Sequence, residues 1–145
     1  MLKRLSRDRA FWIAVLSGPA FWWALTVLGA EQINMGDGSA LWPRLLWLAG
    51  FYPIVEEGLF RGLLQPLFLQ YKTGRARRCG ISGANGITTA LFVFFHFFFH
   101  PPLWAFSVAV PSLIFGGFRD RYQSVVPAIL LHSFYNGGYF SLSMF

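Results

Sequence analysis

Charge is scarce in this chain. Charged residues occupy 12% of its 145 positions, about half of the roughly 25% usual in soluble domains. Runs such as "ALFVFFHFFFHPPLWAFSVAVPSLIFGGF" leave no polar face on a helix, which excludes an ordinary water-soluble helical domain. Cysteine is nearly absent. Cys79 stands alone in a basic segment, so neither a disulfide framework nor a CxxC metal site is available. No internal repeat, low-complexity tract or long linker divides the sequence, and a single domain is expected over residues 1–145.

What the chain has is apolar surface: 55% of its residues are hydrophobic and 19% aromatic. A helix needs roughly 17 to 25 apolar residues to cross a bilayer, and five candidate spans stand at about 10–30, 44–71, 81–100, 103–118 and 123–143. The first follows "MLKRLSRDRA" and lacks a small-residue cleavage site, so it reads as a retained anchor and not as a signal peptide. The net charge of +6 and the pI near 10.1 do not point to nucleic acid, because the basic residues cluster in short joints between apolar spans. Lys3, Arg4, Arg7, Arg9, Lys72, Arg75, Arg77, Arg78, Arg119 and Arg121 fall on one side of a five-span arrangement, ten of the twelve basic residues. Basic residues in short loops stay inside. The sequence therefore predicts an all-α, polytopic membrane bundle of about five helices with the amino terminus inside and the carboxyl terminus outside. Trp42, Trp47 and Trp104 fall near predicted outer boundaries, as interfacial tryptophans do, and His100 beside "PP" reads as interfacial too.

Against that background the stretch "FYPIVEEGLFRGLLQ" is anomalous. An ionisable group within hydrocarbon costs about 2.5–3.5 kcal/mol or more, so such groups normally face a protein interior or a water cavity. Glu57 and Arg61 lie four apart, about 40° around a regular helix, which suits a salt bridge. Glu56 points about 100° from Glu57 and is left for another partner. His96 follows Phe92 by four in the third span, and Asn136 follows His132 by four in the fifth, so each pair shares a face. The counted depths put Glu56 and His132 near mid-membrane, with His96 and Asn136 further out. A purely structural role, a Glu–Arg bridge joining helices, accounts for Glu57 and Arg61 more readily than for Glu56.

A carboxylate, two imidazoles and an amide in a wet cavity suit amide hydrolysis. Glu56 can act as general base on water, with His96 sharing that water. His132 and Asn136 can donate to the oxyanion. No GxSxG elbow or Ser–Lys arrangement surrounds Ser107, Ser112, Ser133 or Ser141, which argues against a serine nucleophile. Two histidines and a glutamate also form a zinc ligand set, although no HExxH or similar compact motif brings them together, so zinc stays an alternative to a site without cofactor. A non-catalytic membrane partner or immunity protein, and a proton-coupled carrier, are the competing classes.

"EEGLFR", "FVFFH" and "HSFYN" resemble, in order, the EExxxR, FxxxH and HxxxN motifs of the CAAX-protease and bacteriocin-processing family, also called the glutamic intramembrane proteases or Abi family. The likeness covers about residues 45–140. It implies that Glu56 activates water beside His96, that His132 and Asn136 form the oxyanion site, and that Glu57 and Arg61 support the motif helix. One span precedes the motif helix here, fewer than in the longer members. The chain accordingly looks more like short bacterial members linked to carboxyl-terminal sorting signals than like processors of prenylated CAAX proteins. The implied setting is the bacterial inner membrane, with a membrane-anchored protein as substrate and no nucleic acid. Depth suggests access from the outer face, with "EQINMGDGSALWP" and its Gly36 and Gly38 as a mobile cover.

Overall fold

The computed structural model describes residues 1–29 and 41–142. Residues 31–40 of the expected cover, Gly36 and Gly38 among them, lie outside the described residues, and its last three begin a helix. Short helix α1 (Leu2–Leu5) leads into α2 (Arg9–Val27), where the Asp8 carboxylate caps the first turn by accepting from the Ala10 amide at 3.0 Å. Nineteen residues make a rod of about 28 Å, close to the thickness of a bilayer core. Among the described residues α2 is the helix whose length and composition suffice to cross a membrane.

Helix α3 runs over 41–68 and alternates regular and widened turns: Leu41–Leu45 is α, Leu46–Phe51 π, Tyr52–Glu57 α, Gly58–Leu64 π and Gln65–Phe68 α. Each π stretch is closed by a single cap residue, Tyr52 or Gln65, that a proline follows. The Tyr52 amide reaches back five residues to the Trp47 carbonyl, and the Gln65 amide reaches back five to that of Phe60. The next amides in that register would serve Leu48 and Arg61, but Pro53 and Pro66 have no N–H. Both carbonyls find donors on other helices: Asn136 Nδ2 binds the Leu48 oxygen at 2.9 Å, and Arg119 Nε binds the Arg61 oxygen at 3.1 Å. The sequence leaves two gaps in one helix, and the tertiary fold fills both.

Helix α4 (Lys72–Arg75) and a hairpin of β1 (Arg77–Arg78) with antiparallel β2 (Ile81–Ser82) form the basic joint. Cys79 and Gly80 turn it with φ of 51° and 82°, the paired positive values of a tight two-residue hairpin. Then follow α5 (Gly83–His96), capped by Ser82 Oγ on the Asn85 amide at 3.0 Å, α6 (Pro102–Ser107), α7 (Ala109–Tyr122) and α8 (Val126–Leu142). Helices lie within each of the five apolar stretches, although among the described residues α2 alone is by length and composition a membrane span. Helix α8 is central, packed on α2, on α7 and on the first half of α3, while α5 packs against α7 and the end of α3. One apolar cluster, with Phe60, Phe92, Trp104 and Tyr139, packs at the carboxyl-terminal end of α8, and another, with Ala14, Phe115, Leu131 and Tyr135, packs nearer its start. Trp42 and Trp47 are exposed, but Trp104, expected at the interface, is buried, with its indole N–H on the Tyr139 hydroxyl at 3.3 Å. Its helix begins at the second proline of "PP", Pro102, and the turn folds it back over the end of α5.

Candidate active site

The two adjacent glutamates meet different surroundings. Glu57 is fully buried, as is Arg61, and Arg61 Nη1 donates to Glu57 Oε1 at 3.1 Å. The bridge expected from the four-residue spacing is therefore present, although the segment from Gly58 onward is π-helical. Arg61 Nη2 donates to the Ser112 carbonyl at 3.1 Å and to Ser112 Oγ at 2.5 Å, and the guanidinium lies 4.6 Å from the Phe92 ring centroid. Glu56, one residue back and so about 100° around, keeps 31% of its side chain exposed and faces a cavity.

His132 stands between the two carboxylates. Its Nδ1 lies 2.8 Å from Glu57 Oε1 and its Nε2 3.6 Å from Glu56 Oε2. A carboxylate paired with an arginine only accepts, so Nδ1 carries the proton and Glu57 fixes both tautomer and ring plane. The Phe115 ring stacks on this imidazole at 5.3 Å. His96 is set similarly by a different partner: Nδ1 lies 2.8 Å from the Phe92 carbonyl, which can only accept, leaving Nε2 as a lone-pair base. Trp104 stacks on the His96 ring at 5.6 Å, and His100, also expected at the interface, stacks on Trp104 at 4.0 Å.

Glu56, His96, His132 and Asn136 line one cavity of about 620 Å³, with walls of Phe60, Phe92, Phe95, Trp104 and Tyr139. That volume lies within the usual range for a ligand site. A few polar groups at an apolar wall suit a largely apolar ligand. Zinc fits less well: among the described residues no three His, Cys, Asp or Glu side chains are grouped to hold a metal.

Asn136 has a structural task as well as a place on the cavity. One N–H of its amide is spent on the Leu48 carbonyl that Pro53 leaves unpaired, so one N–H remains for a substrate. Asn136→Ala is expected to destabilise the protein by about 1 kcal/mol, the cost of a half-buried carbonyl losing its partner. Adding Pro53→Ala restores a backbone donor and should recover most of that stability without restoring cleavage. A double-mutant cycle of thermal stability and activity reads both. Equal stability losses with and without Pro53→Ala would mean that the proline is not what orphans the carbonyl.

A buried polar spine supports the site, and the count of ionisable residues overlooked it. From Arg61 it runs through Ser112 Oγ to Thr89 Oγ1 at 2.9 Å and on to Asn85 Oδ1 at 3.3 Å, while Asn85 Nδ2 holds the Leu113 carbonyl at 2.9 Å. Gly116 makes room for the Asn85 amide, which a Cβ there would strike. One turn beyond Arg61, Gln65 Nε2 donates to the Gly116 carbonyl at 2.9 Å and to Asp120 Oδ1 at 2.8 Å. A census of neutral polar residues within the apolar spans would have found Gln65, Asn85 and Thr89.

Residues 38–138 match the family model described as Rce1-like, type II CAAX prenyl endopeptidase Rce1-like. No curated protein and no solved structure matches the chain.

Proposed function

The chain belongs to the Rce1-like family of type II CAAX prenyl endopeptidases, an integral membrane peptidase family, and we propose that it cuts a membrane-anchored protein by a metal-free glutamate mechanism. The observation that carries this reading is the unequal pair: Glu57 sealed on Arg61 and His132, and Glu56 open to the cavity that His96 also lines. Glu56 takes a proton from a water that the lone pair of His96 Nε2 helps to orient, and the hydroxide attacks the scissile carbonyl. The remaining N–H of Asn136 and the His132 ring, which Glu57 holds in place, form the oxyanion site. Glu56 then passes its proton to the leaving amine.

In this reading residues 1–145 form a single protease domain of five spans in a bacterial inner membrane, with the amino terminus inside, as the ten basic residues of the joints favour. His96 and Asn136 lie outward of Glu56 and His132 on that topology, so the cut falls near the outer face of the substrate's own span, next to a carboxyl-terminal sorting signal. The test uses the reconstituted protein and substrates carrying the cleavage segment at the outer or the inner end of one span, with and without a zinc chelator. Preferential cutting of the outer-end substrate, unchanged by chelator, is expected. Inner-end preference would overturn the sidedness, and loss of activity with chelator would overturn the metal-free mechanism.

A further inference from the structure

We propose that a basic cleft at the amino-terminal end of α2 binds the phosphate-bearing headgroup of an anionic membrane phospholipid. The cleft has a volume of about 680 Å³ and is lined by Lys3, Arg4, Arg7, Arg9 and Arg121 with a single carboxylate, Asp8. Five cations less one anion leave its lining at +4. The carboxylate is fully engaged: Asp8 Oδ2 accepts from the Tyr122 hydroxyl at 2.7 Å and pairs with Arg121 Nε at 3.1 Å, and Oδ1 accepts from the Ala10 amide. The Tyr122 hydrogen bond, the largest influence, holds the Asp8 carboxyl below its ordinary pKa, so it stays ionised and joins α7 to the start of α2. Arg4 lies over the Tyr122 ring at 5.1 Å. Lys3, Arg7 and Arg9 form no ion pair among the described residues, and all three are exposed.

The position of the cleft selects a lipid over a soluble anion. It sits at the end of the one described helix with the length and composition to cross a bilayer. Within two turns the same helix presents Ile13 and Leu16 outward, 67% and 73% exposed. The Trp12 indole, half-exposed, donates to the Ser6 carbonyl at 2.8 Å and is pinned at the junction, as an interfacial tryptophan would be. A molecule with a phosphate head and acyl tails meets complementary chemistry on both sides of that junction, whereas a free anion uses only the cleft.

The experiment compares the full chain in nanodiscs of phosphatidylcholine, of phosphatidylcholine mixed with phosphatidylglycerol, and of phosphatidylcholine with millimolar inorganic phosphate. Unfolding midpoints are read for the wild type and for the double variant Lys3→Gln/Arg7→Gln, whose side chains carry no ion pair among the described residues. Phosphatidylglycerol should raise the wild-type midpoint by about 4 °C, the double variant should keep less than half of that gain, and phosphate should add none. Native mass spectrometry should find phosphatidylglycerol retained several-fold over phosphatidylcholine by the wild type, and less by the variant even if the variant is less stable. Equal midpoints in the two lipid compositions, an undiminished gain and retention in the variant, or the same gain from phosphate alone would each overturn the assignment.

Discussion

Glu56→Gln is expected to lower peptide hydrolysis by about 10²- to 10⁴-fold, the usual contribution of a positioned general base, while the unfolding midpoint barely moves. The amide keeps the size and shape of the carboxylate and removes its ability to take a proton. Glu56 is partly exposed to the cavity, and its closest ionic neighbour is His132 Nε2 at 3.6 Å, so little of the fold depends on its charge. Single-turnover cleavage of a reconstituted substrate, together with a thermal melt of the same preparation, measures both quantities. Wild-type cleavage by a well-folded Glu56→Gln protein would remove Glu56 from the chemistry and return the whole motif to a structural role.

The second large effect falls on stability. Glu57→Gln should destabilise the protein by about 3–5 kcal/mol, because it strands the Arg61 guanidinium, fully buried, without its counter-charge. His132 loses its orienting carboxylate in the same step. Activity falls too, so the distinguishing measurement is folded yield and unfolding midpoint, which Glu56→Gln leaves nearly unchanged. Replacing both partners, as Glu57→Leu with Arg61→Met, should recover much of the stability, since removing a whole buried pair costs less than breaking it. Cleavage should not return, because nothing then fixes the His132 ring. If Glu57→Gln and Glu56→Gln proved equally stable, the division of labour between the two glutamates would be wrong.

These two predictions concern neighbouring carboxylates of the same type, and the difference between them arises from packing. Rotation by one helical residue turns Glu57 toward Arg61 and His132 and leaves Glu56 on the cavity wall. The same holds for the histidines. His96 takes its tautomer from a carbonyl one turn back on its own helix, while His132 takes its tautomer from a side chain on another helix.

The sequence by itself determined what local spacing can determine. Apolar stretches of sufficient length defined five helical segments, and four-residue spacing predicted both the Glu57–Arg61 bridge and the shared face of His132 and Asn136. The three motifs marked the family. Periodicity cannot say which donor on a distant helix meets which acceptor, because that depends on how helices pack. Only the tertiary structure could therefore join Arg61 to Ser112, or give the Leu48 and Arg61 carbonyls to Asn136 and Arg119. Pro53 and Pro66 were legible as missing donors, but the π turns before them were not. Whether a helix widens to an i−5 register is decided by the contacts that compensate for it, and here those contacts come from α7 and α8.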